Sequence, residues 1–336
     1  MKHFRLISLT LLLCLLLGLT ACGSDEPVVK QIFAMDTYME LRAYGSKAEF
    51  ALSEAVNSIN QAAAELDPEL ETSTVYAMNH AQGQPVEVSD RILHMLDTVS
   101  TVYSQSGGAL DLTVYPVVKA WGFIDSQYRV PDAQELEQLK AVPCFPEVQV
   151  DGSTVTLPAG AQLSFGSVAK GEMAEEVMAG LRSQGIKHAF VSLGGNVQTL
   201  GTKPDGSPWR IGVEDPRNPG GHLGVLEIGE KAVVTSGSYQ RFFEQDGQLY
   251  HHIIDPATAA PAQTGLRSVT IVCDDGTMAD SLSTTMFVLG LEGAMDYYHT
   301  YGGFELIFVT TDNRVLVSSG LDFTPTADGY TYEVFD

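Results

Sequence analysis

The stretch Ala232–Pro256, AVVTSGSYQRFFEQDGQLYHHIIDP, decides how the rest of the chain is interpreted. It opens with a short β-branched run, Val233 to Thr235, and breaks at small residues around Gly237. Two extended pieces follow, joined at Asp246-Gly247, a dipeptide that favours a tight hairpin turn. The pattern therefore predicts a strand followed by a β-hairpin.

The hairpin ends in two groups suited to proton transfer. His252 and Asp255 lie just before Pro256, a residue that stops regular structure, and Arg241 and several small hydroxyl residues are close in sequence. Polar groups that gather at the end of a strand are typical of catalytic sites. The alternative is that Tyr, Phe and His side chains on this hairpin only cover a sheet, and the stretch alone does not decide between the two.

The N-terminus has the features of a secretory signal. Lys2 and Arg5 form a basic region, Leu6–Leu17 is apolar, and Leu19-Thr20-Ala21-Cys22 follows. The apolar part is too short for a comfortable membrane span. The final residues resemble a lipobox, so residues 1–21 are interpreted as a signal peptide and Cys22 as the lipid-bearing first residue of a bacterial lipoprotein. Such a protein is anchored at the cell membrane on its extracytoplasmic face, here through a tether over residues 22–30.

The remaining chain, residues 31–336, is predicted to form one large domain with an acidic surface. Removing the signal takes away two of the 19 basic residues and none of the 42 acidic ones, which leaves a net charge of −25. This charge argues against nucleic-acid binding, and an anionic ligand would need a helix N-terminus, a glycine turn or a divalent metal. Cys144 and Cys273 match no metal-ligand spacing, and a disulfide between them remains open.

Hydrophobic periodicity and capping signals predict five helices. A capping box at Ser46 and Glu49 opens the first helix, which runs from Lys47 to Leu66. The others are predicted after Ser89 up to Gly107-Gly108, over Asp132–Lys140, from the Ser164 turn to Gly185, and over Thr277–Leu289.

Strand patterns outnumber the helical ones. Ile32–Ala43 is predicted as one strand, and further strands or hairpins are predicted at Glu147–Leu157, His188–Leu193, Trp209–Val213, Arg267–Cys273 and Phe304–Val317. Hairpins recur where a doubly wound sheet would have crossovers. The sequence therefore predicts an α+β fold with mostly antiparallel sheets and packed helices.

Two places in this pattern carry groups that suit a metal or a phosphate. Asp280 and Thr284 lie one turn apart on the last predicted helix, with Ser283 on the same face. A carboxylate and a hydroxyl so placed suit a hard cation such as Mg²⁺, although Asp and Thr early in a helix commonly act only as caps. The Ser164–Gly171 turn enters a helix with Lys170 at its mouth, and such turns present backbone amides and carbonyls to a phosphate or metal. Lys170 fits a solvated helix position equally well.

These elements, in this order, resemble the FAD:protein FMN transferases of the ApbE family over nearly the whole mature chain. The matching segments are Met35-Asp36-Thr37, Gly108–Asp111, Ser167–Gly171, Val191–Asn196, Trp209–Pro216, Thr235-Ser236-Gly237, His252–Pro256 and Ala279–Thr284. Many segments in register make the resemblance specific, although each alone would be weak.

The resemblance implies a T-fold-like α+β architecture with an FAD cleft and a magnesium site. Asp280 and Thr284 match metal-ligand positions, Ser283 matches a position where some members carry a carboxylate, and the carbonyl of Ser167 matches a further ligand. The residues that match flavin-nucleotide contacts are Met35, Ala109, Leu110, Asp111, Lys170 and Ile254. His252 matches a histidine assigned to acid–base work.

Four positions depart from the family pattern. Asp36 replaces the usual glycine of Met-Gly-Thr, and Ala259 stands where a glycine usually follows the threonine. Ser164 occupies a flavin-side position where members often have Asp. Glu69, in Asp67-Pro68-Glu69, occupies the position of an aromatic residue that stacks on flavin in many members.

The resemblance implies transfer of the FMN moiety of FAD to a threonine hydroxyl of an acceptor protein, with release of AMP. The acceptors would be membrane redox subunits with an FMN-binding threonine motif. His252, oriented by Asp255, is expected to accept the threonine proton. Two alternatives remain open at this stage: an FAD pyrophosphatase, in which water attacks, and a lipoprotein that binds flavin without catalysis.

Overall fold

The computed structural model describes residues 26–142 and 144–336. The predicted signal peptide and the lipidation site Cys22 lie outside these residues. No helix within the described ranges is long and apolar enough to cross a membrane.

A mixed sheet of nine strands forms the centre of the fold. In spatial order the strands are β1 (Val28–Ala34), β2 (Thr37–Ala43), β6 (Ala189–Leu193), β7 (Asn196–Leu200), β10 (Ala232–Gly237), β15 (Leu266–Cys273), β16 (Glu305–Thr310), β17 (Arg314–Ser318) and β19 (Thr331–Phe335). Every neighbouring pair is antiparallel except β17 and β19. The predicted α+β class with mostly antiparallel sheets is confirmed.

Four small sheets and seven helices surround the central sheet in the described part of the chain. The small sheets pair β3 (Val86–Glu87) with β5 (Thr154–Thr156) and β4 (Gln149–Asp151), β8 (Trp209–Glu214) with β9 (His222–Ile228) and β18 (Phe323–Pro325), β11 (Phe242–Gln245) with β12 (Gln248–His251), and β13 (Ile254–Asp255) with β14 (Ala260–Pro261). The helices are α1 (Ala48–Leu66), α2 (Thr74–His80), α3 (Asp90–Ser106), α4 (Tyr115–Ala120), α5 (Ala133–Leu139), α6 (Ala169–Ser183) and α7 (Gly276–Tyr301).

The central sheet is buried on both faces, which explains its nearly continuous apolar strands. Adjacent residues of β10 illustrate this: Val234 packs in the core under helices α3 and α7, whereas Val233 packs in a second core against β8 and β9. A third core joins α1 and α6 to strands β2 and β6. Because side chains alternate along a strand, the two faces of β10 supply different cores.

The first predicted strand is wrong, because Ile32–Ala43 lies in two strands. Met35 and Asp36 both have left-handed backbone angles, with φ of 49° and 57°, and join β1 to β2 in a two-residue turn. The Asp246-Gly247 turn has the same form and is confirmed. An Asp-Gly pair in the sequence predicts such a turn, whereas a Met-Asp pair does not.

The helix predicted over Thr277–Leu289 is confirmed, because the backbone leaves the helical conformation at Gly290, with φ 71° and ψ 179°. A second helical segment, which was not predicted, then continues α7 to Tyr301. One helix prediction needs correction: the Ser46–Glu49 capping box does not form, since α1 begins at Ala48 without a side-chain cap and Glu49 instead pairs with Lys30. By contrast, Ser89 and Asp132 cap α3 and α5 as predicted.

Candidate active site

One cavity collects most of the residues singled out in the sequence. It lies at the N-terminus of α6, beside the second turn of α7 and the end of β10, and is closed on other sides by the 109–124 segment and the 252–256 segment. The predicted site residues that line it are Ala109, Leu110, Asp111, Ser164, Ser167, Lys170, His252, Ile254, Asp280 and Thr284. Met35, Glu69, Asp255 and Ser283 do not line it.

Asp280 is held in place by a close approach of two helices. An added Cβ at Gly171 would lie 2.1 Å from the carbonyl oxygen of Gly276 and 2.7 Å from Cβ of Asp280, so only glycine fits there. This contact lets the Gly171 amide, in the first turn of α6, donate to Oδ2 of Asp280 at 2.9 Å. Oδ1 receives no hydrogen bond from the described residues and is left for a ligand.

The donor chemistry around Asp280 fits a hard divalent cation. Ser167 and Thr284 line the same cavity. The donors that the family resemblance implies for them are a backbone carbonyl and a hydroxyl, so all three candidate donors are oxygen atoms. Within residues 26–142 and 144–336 no three His, Cys, Asp or Glu side chains cluster as a metal site. A cation here would therefore rely on oxygen atoms from a bound ligand to complete its coordination.

Ser283 is a packing residue, contrary to its predicted place among the ligands. It is fully buried, and its hydroxyl bonds the carbonyl of Asp280 at 2.9 Å and the hydroxyl of Ser236 at 2.8 Å. Ser236 also lies 3.3 Å from the Thr284 hydroxyl and lines the cavity. The two residues predicted to share one helical face therefore point in different directions: Thr284 faces the cavity and Ser283 faces β10.

His252 is a neutral imidazole with a defined tautomer. Its Nδ1 lies 3.2 Å from the carbonyl oxygen of Arg241, which can only accept, so Nδ1 carries the proton and Nε2 keeps its lone pair. Burial, followed by the nearby charge of Arg241, lowers the pKa of His252 to about 3. A proton acceptor is therefore available in the cavity at neutral pH.

The adjacent His251 has a different role. Its Nε2 donates to the carbonyl of Ala262 at 3.0 Å, and its Nδ1 accepts from the Ile253 amide at 3.3 Å. The side chain is 3 % exposed and packs edge-on against Phe287. Both ring nitrogens are occupied, so of the two neighbouring histidines only His252 offers a free nitrogen.

The predicted orientation of His252 by Asp255 is wrong. Oδ1 of Asp255 accepts from the Ala257 amide at 2.9 Å, and Oδ2 accepts from the Thr258 hydroxyl at 3.0 Å. An Asp that bonds its own backbone two residues on stabilises a turn. Asp255 therefore shapes the turn between β13 and β14, and the backbone of Arg241 orients the imidazole.

Two cations line the cavity without a carboxylate partner. Neither Lys170 nor Arg241 has an Asp or Glu oxygen within ion-pair distance in the part of the chain that the structure describes. Both contribute to the low pKa of His252, Arg241 more strongly than Lys170. Asp111 and Asp280 line the same cavity, so its formal charges balance, and Lys170 and Arg241 are the groups in it that would attract an anion.

The 109–124 segment forms the wall with the most apolar groups. Asp111 is buried there; burial raises the pKa of Asp111, while hydrogen bonds from Thr113 and the Phe145 amide oppose the rise. Tyr115 lines the cavity, and its hydroxyl donates to Glu69, which also accepts from Lys119 at 2.7 Å. Glu69 therefore supports the wall from behind and does not face the ligand space.

Met35 lies beside the cavity in the β1–β2 turn. Its side chain is half-buried and packs against two of the cores. The next residue but one, Thr37, contacts Gly194, which does line the cavity. The Met35-Asp36-Thr37 segment therefore shapes the rim indirectly.

Comparison with known proteins gives one consistent result. The ApbE family model matches residues 35–308. FAD:protein FMN transferase from Treponema pallidum (strain Nichols) is 32 % identical over 92 % of each chain, and that from Klebsiella pneumoniae (strain 342) is 35 % identical over 77 % of this chain and 82 % of the relative.

Solved structures agree with these relatives. The ApbE protein of Thermotoga maritima has a TM-score of 0.79 at 28 % identity, covering 90 % of this chain and 97 % of its own. The flavin transferase ApbE from Vibrio cholerae has a TM-score of 0.78 at 26 % identity, with coverage of 90 % and 97 %. The chain therefore belongs to the ApbE family.

Proposed function

We propose that this transferase moves the FMN moiety of FAD to a threonine hydroxyl of an acceptor protein, in a Mg²⁺-dependent reaction that releases AMP. The observation that carries the proposal is the combination in one cavity of a neutral histidine with a free Nε2, two cations without an ion-pair partner among the described residues, and a carboxylate at Asp280 with one oxygen left for a ligand. The names of the relatives supply FAD and a protein acceptor.

The charges in the cavity suit a dinucleotide diphosphate. Lys170 lies in the first turn of α6, where the helix dipole also favours a phosphate. Arg241 adds a second positive charge beside His252. A bound Mg²⁺, held by Asp280, Thr284 and the carbonyl of Ser167, would neutralise further negative charge on the diphosphate.

The chain's own groups then account for the transfer step. The threonine oxygen attacks the phosphorus of the FMN phosphate, and Nε2 of His252 accepts the hydroxyl proton. The bond between that phosphorus and the bridging oxygen breaks, and the bridging oxygen leaves with AMP. The carbonyl of Arg241 keeps Nδ1 protonated during this step, so the free Nε2 is the only ring position that accepts the proton.

The runner-up function is FAD hydrolysis to FMN and AMP, with water as the attacking group. It is favoured by the exposure of Gly166, Ile124 and Arg241, lining residues through which solvent reaches the cavity. A bound acceptor would have to cover this opening for transfer to prevail.

One experiment separates these functions. The protein is incubated with FAD, Mg²⁺ and a purified acceptor domain carrying the threonine motif, and the products are examined by in-gel flavin fluorescence and by AMP release. Covalent fluorescence with equimolar AMP supports transfer, and AMP with free FMN supports hydrolysis. FAD binding without AMP, unaffected by Asp280→Ala, would show a flavin-binding protein and overturn the proposal.

We also propose that the protein works outside the cytoplasm, anchored by a lipid on Cys22. The support is the basic, apolar and lipobox-like order of the first 22 residues. Labelling with radioactive palmitate should mark the wild-type protein and not Cys22→Ser, which should move to the soluble fraction. Equal labelling of both proteins would contradict the anchor.

A further inference from the structure

The guanidinium of Arg241 is fixed at the cavity by one hydrogen bond, and most of its donors are free. Nη2 donates to the carbonyl of Phe123 at 2.5 Å. Phe123 is buried in a small core with Trp121 and Ile254, so this anchor is rigid. An arginine has five N–H donors, and the described residues engage no other donor of this side chain.

Arg241 contacts the base through its backbone, and its guanidinium is anchored on Phe123, whose ring packs edge-on against the imidazole of His252 with the centroids 6.4 Å apart. The carbonyl oxygen of Arg241 accepts from the His252 amide at 3.1 Å and from Nδ1 of the same residue at 3.2 Å. The charge of Arg241 also affects the imidazole more than the charge of Lys170 does. Of the two free cations, Arg241 is therefore the one beside the proton acceptor.

The position of the base fixes which phosphate this cation can meet. A general base must lie within hydrogen-bond reach of the attacking hydroxyl, and that hydroxyl must lie close to the phosphorus that it attacks. A cation next to the base is therefore next to the attacked phosphate. A guanidinium presents two parallel donors, which match two oxygens of a phosphoryl group.

We infer that Arg241 is a catalytic residue that binds the transferred phosphate of FAD through its guanidinium, while its main-chain carbonyl fixes the tautomer of His252. The inference rests on the proposed function. In the transition state the negative charge is spread over the oxygens of the transferred phosphoryl group as the bond to AMP breaks. A fixed pair of N–H donors stabilises that charge. Lys170 and the metal site would hold the remaining diphosphate.

The test compares Arg241→Met and Arg241→Lys with the wild-type protein. Both variants keep the main-chain carbonyl, so the hydrogen bonds to His252 survive and the substitution isolates the guanidinium. With FAD, Mg²⁺ and the acceptor domain, R241M should lose about 10²- to 10³-fold in kcat, as for removal of a transition-state donor. R241K should recover part of this loss, and the KM for FAD should change less than about tenfold in either variant because Lys170 remains.

The dependence of kcat/KM on pH is a measurement that would not change if Arg241 had only a structural role. The charged or titratable groups that face His252 are Arg241, His251 and Lys170. R241M removes one charge, so the acid limb of kcat/KM should move to higher pH, whereas R241K should leave it close to that of the wild type. Arg267→Met is the matched control, because Arg267 also donates to a carbonyl, of Thr311 at 3.3 Å, but lies outside the cavity lining.

The outcomes distinguish this inference from the proposed function. AMP release reports attack at phosphorus whether the attacking group is threonine or water, so a pyrophosphatase would still test Arg241. An R241M protein with near wild-type kcat, or a loss equal to that of R267M, overturns the inference alone. A wild-type protein that leaves FAD intact overturns both.

Discussion

At the scale of single residues, two adjacent histidines have different roles: His251 is a structural residue and His252 is a candidate for the chemistry. Both ring nitrogens of His251 are engaged inside the core, whereas Nε2 of His252 is free in the cavity. The sequence places both at the end of the same strand. Only the alternation of the hairpin and the position of the Ala262 carbonyl assign one to the core and the other to the site.

This difference predicts opposite effects for two matched substitutions. His252→Gln should lower the transfer rate by about 10²- to 10⁴-fold, the range for loss of a general base, with little change in unfolding temperature. His251→Gln should mainly lower stability, because it leaves buried partners without their hydrogen bonds. Initial rates of flavin transfer and thermal unfolding of both variants check this, and an H252Q protein with normal rates would exclude the base.

The low pKa of His252 also predicts a dependence of stability on pH. The folded-state pKa is about 3, whereas an imidazole in the unfolded chain titrates near about 6.5. Between these values the unfolded chain binds a proton that the folded protein does not, so the contribution to stability is present above about pH 6.5 and is lost as pH falls. Urea unfolding at pH 7.5 and pH 5 should therefore show a larger loss for the wild type than for H252Q. Equal losses would contradict the shift.

The sequence predicts which residues line the cavity where they belong to a segment shared with the family. It does not predict this where a residue distant in sequence determines the direction of the side chain. Asp280, Thr284, Ser167 and Lys170 all line the cavity, and their ligand roles stay predictions. Ser283 shares a helical face with Thr284 but faces β10, because Ser236 supplies a partner from a strand 47 residues earlier. Helical spacing cannot reveal such a partner.

At the scale of elements, the contact between α6 and α7 sets the position of Asp280. Gly171→Ala should destabilise the protein by about 1–3 kcal/mol through overpacking against Gly276 and should raise the Mg²⁺ concentration needed for half-maximal activity. Gly180→Ala is the control on the same helix, since an added Cβ there meets no described atom within 4 Å. It should be neutral or stabilising by up to about 1 kcal/mol. Urea unfolding and metal titrations check both, and a harmless G171A would disprove the tight contact.

The β1–β2 turn predicts a stabilising substitution. Asp36 holds a left-handed backbone, whereas the equivalent turn positions in the other two such hairpins are Gly195 and Gly247. Asp36→Gly should therefore stabilise the protein by about 0.5–1 kcal/mol, because glycine adopts this conformation without steric cost. Asp36→Ala removes the same charge but keeps the Cβ, so it should destabilise. If both variants change the free energy of unfolding in the same direction, the charge of Asp36, and not its backbone conformation, determines the effect.

The elements themselves were predictable to the extent that their ends carry local signals. Asp-Gly turns and the Ser89 and Asp132 caps are local chemistry, and the structure has all of them. The Met35-Asp36 turn was missed because its left-handed residues are held by pairing of the flanking strands and by the rim at Gly194. The predicted helix end at Leu289 agrees with the non-helical backbone at Gly290, whereas the second helical segment, up to Tyr301, was not predicted.

At the scale of the whole molecule, an acidic surface surrounds a cavity that holds two cations and two carboxylates. The chain carries 42 acidic and 19 basic residues, whereas the cavity is lined by Lys170 and Arg241 together with Asp111 and Asp280, and neither cation has an ion-pair partner among the residues that the structure describes. Long-range repulsion therefore opposes the approach of FAD, and short-range attraction acts only after entry. Salt screens the first effect more than the second, since the Debye length falls from about 30 Å at 0.01 M to about 10 Å at 0.1 M.

This arrangement predicts an unusual salt dependence for an anionic ligand. In the absence of Mg²⁺, the association rate of FAD should rise several-fold between about 0.01 M and 0.1 M NaCl, because screening lowers the repulsion from the acidic surface. Stopped-flow quenching of flavin fluorescence measures this rate, and uncharged riboflavin is the control, with a rate that salt leaves unchanged. An association rate for FAD that falls with salt would mean that the field of Lys170 and Arg241 extends beyond the cavity and dominates the approach. The acidic surface would then protect the site from larger polyanions without slowing its substrate.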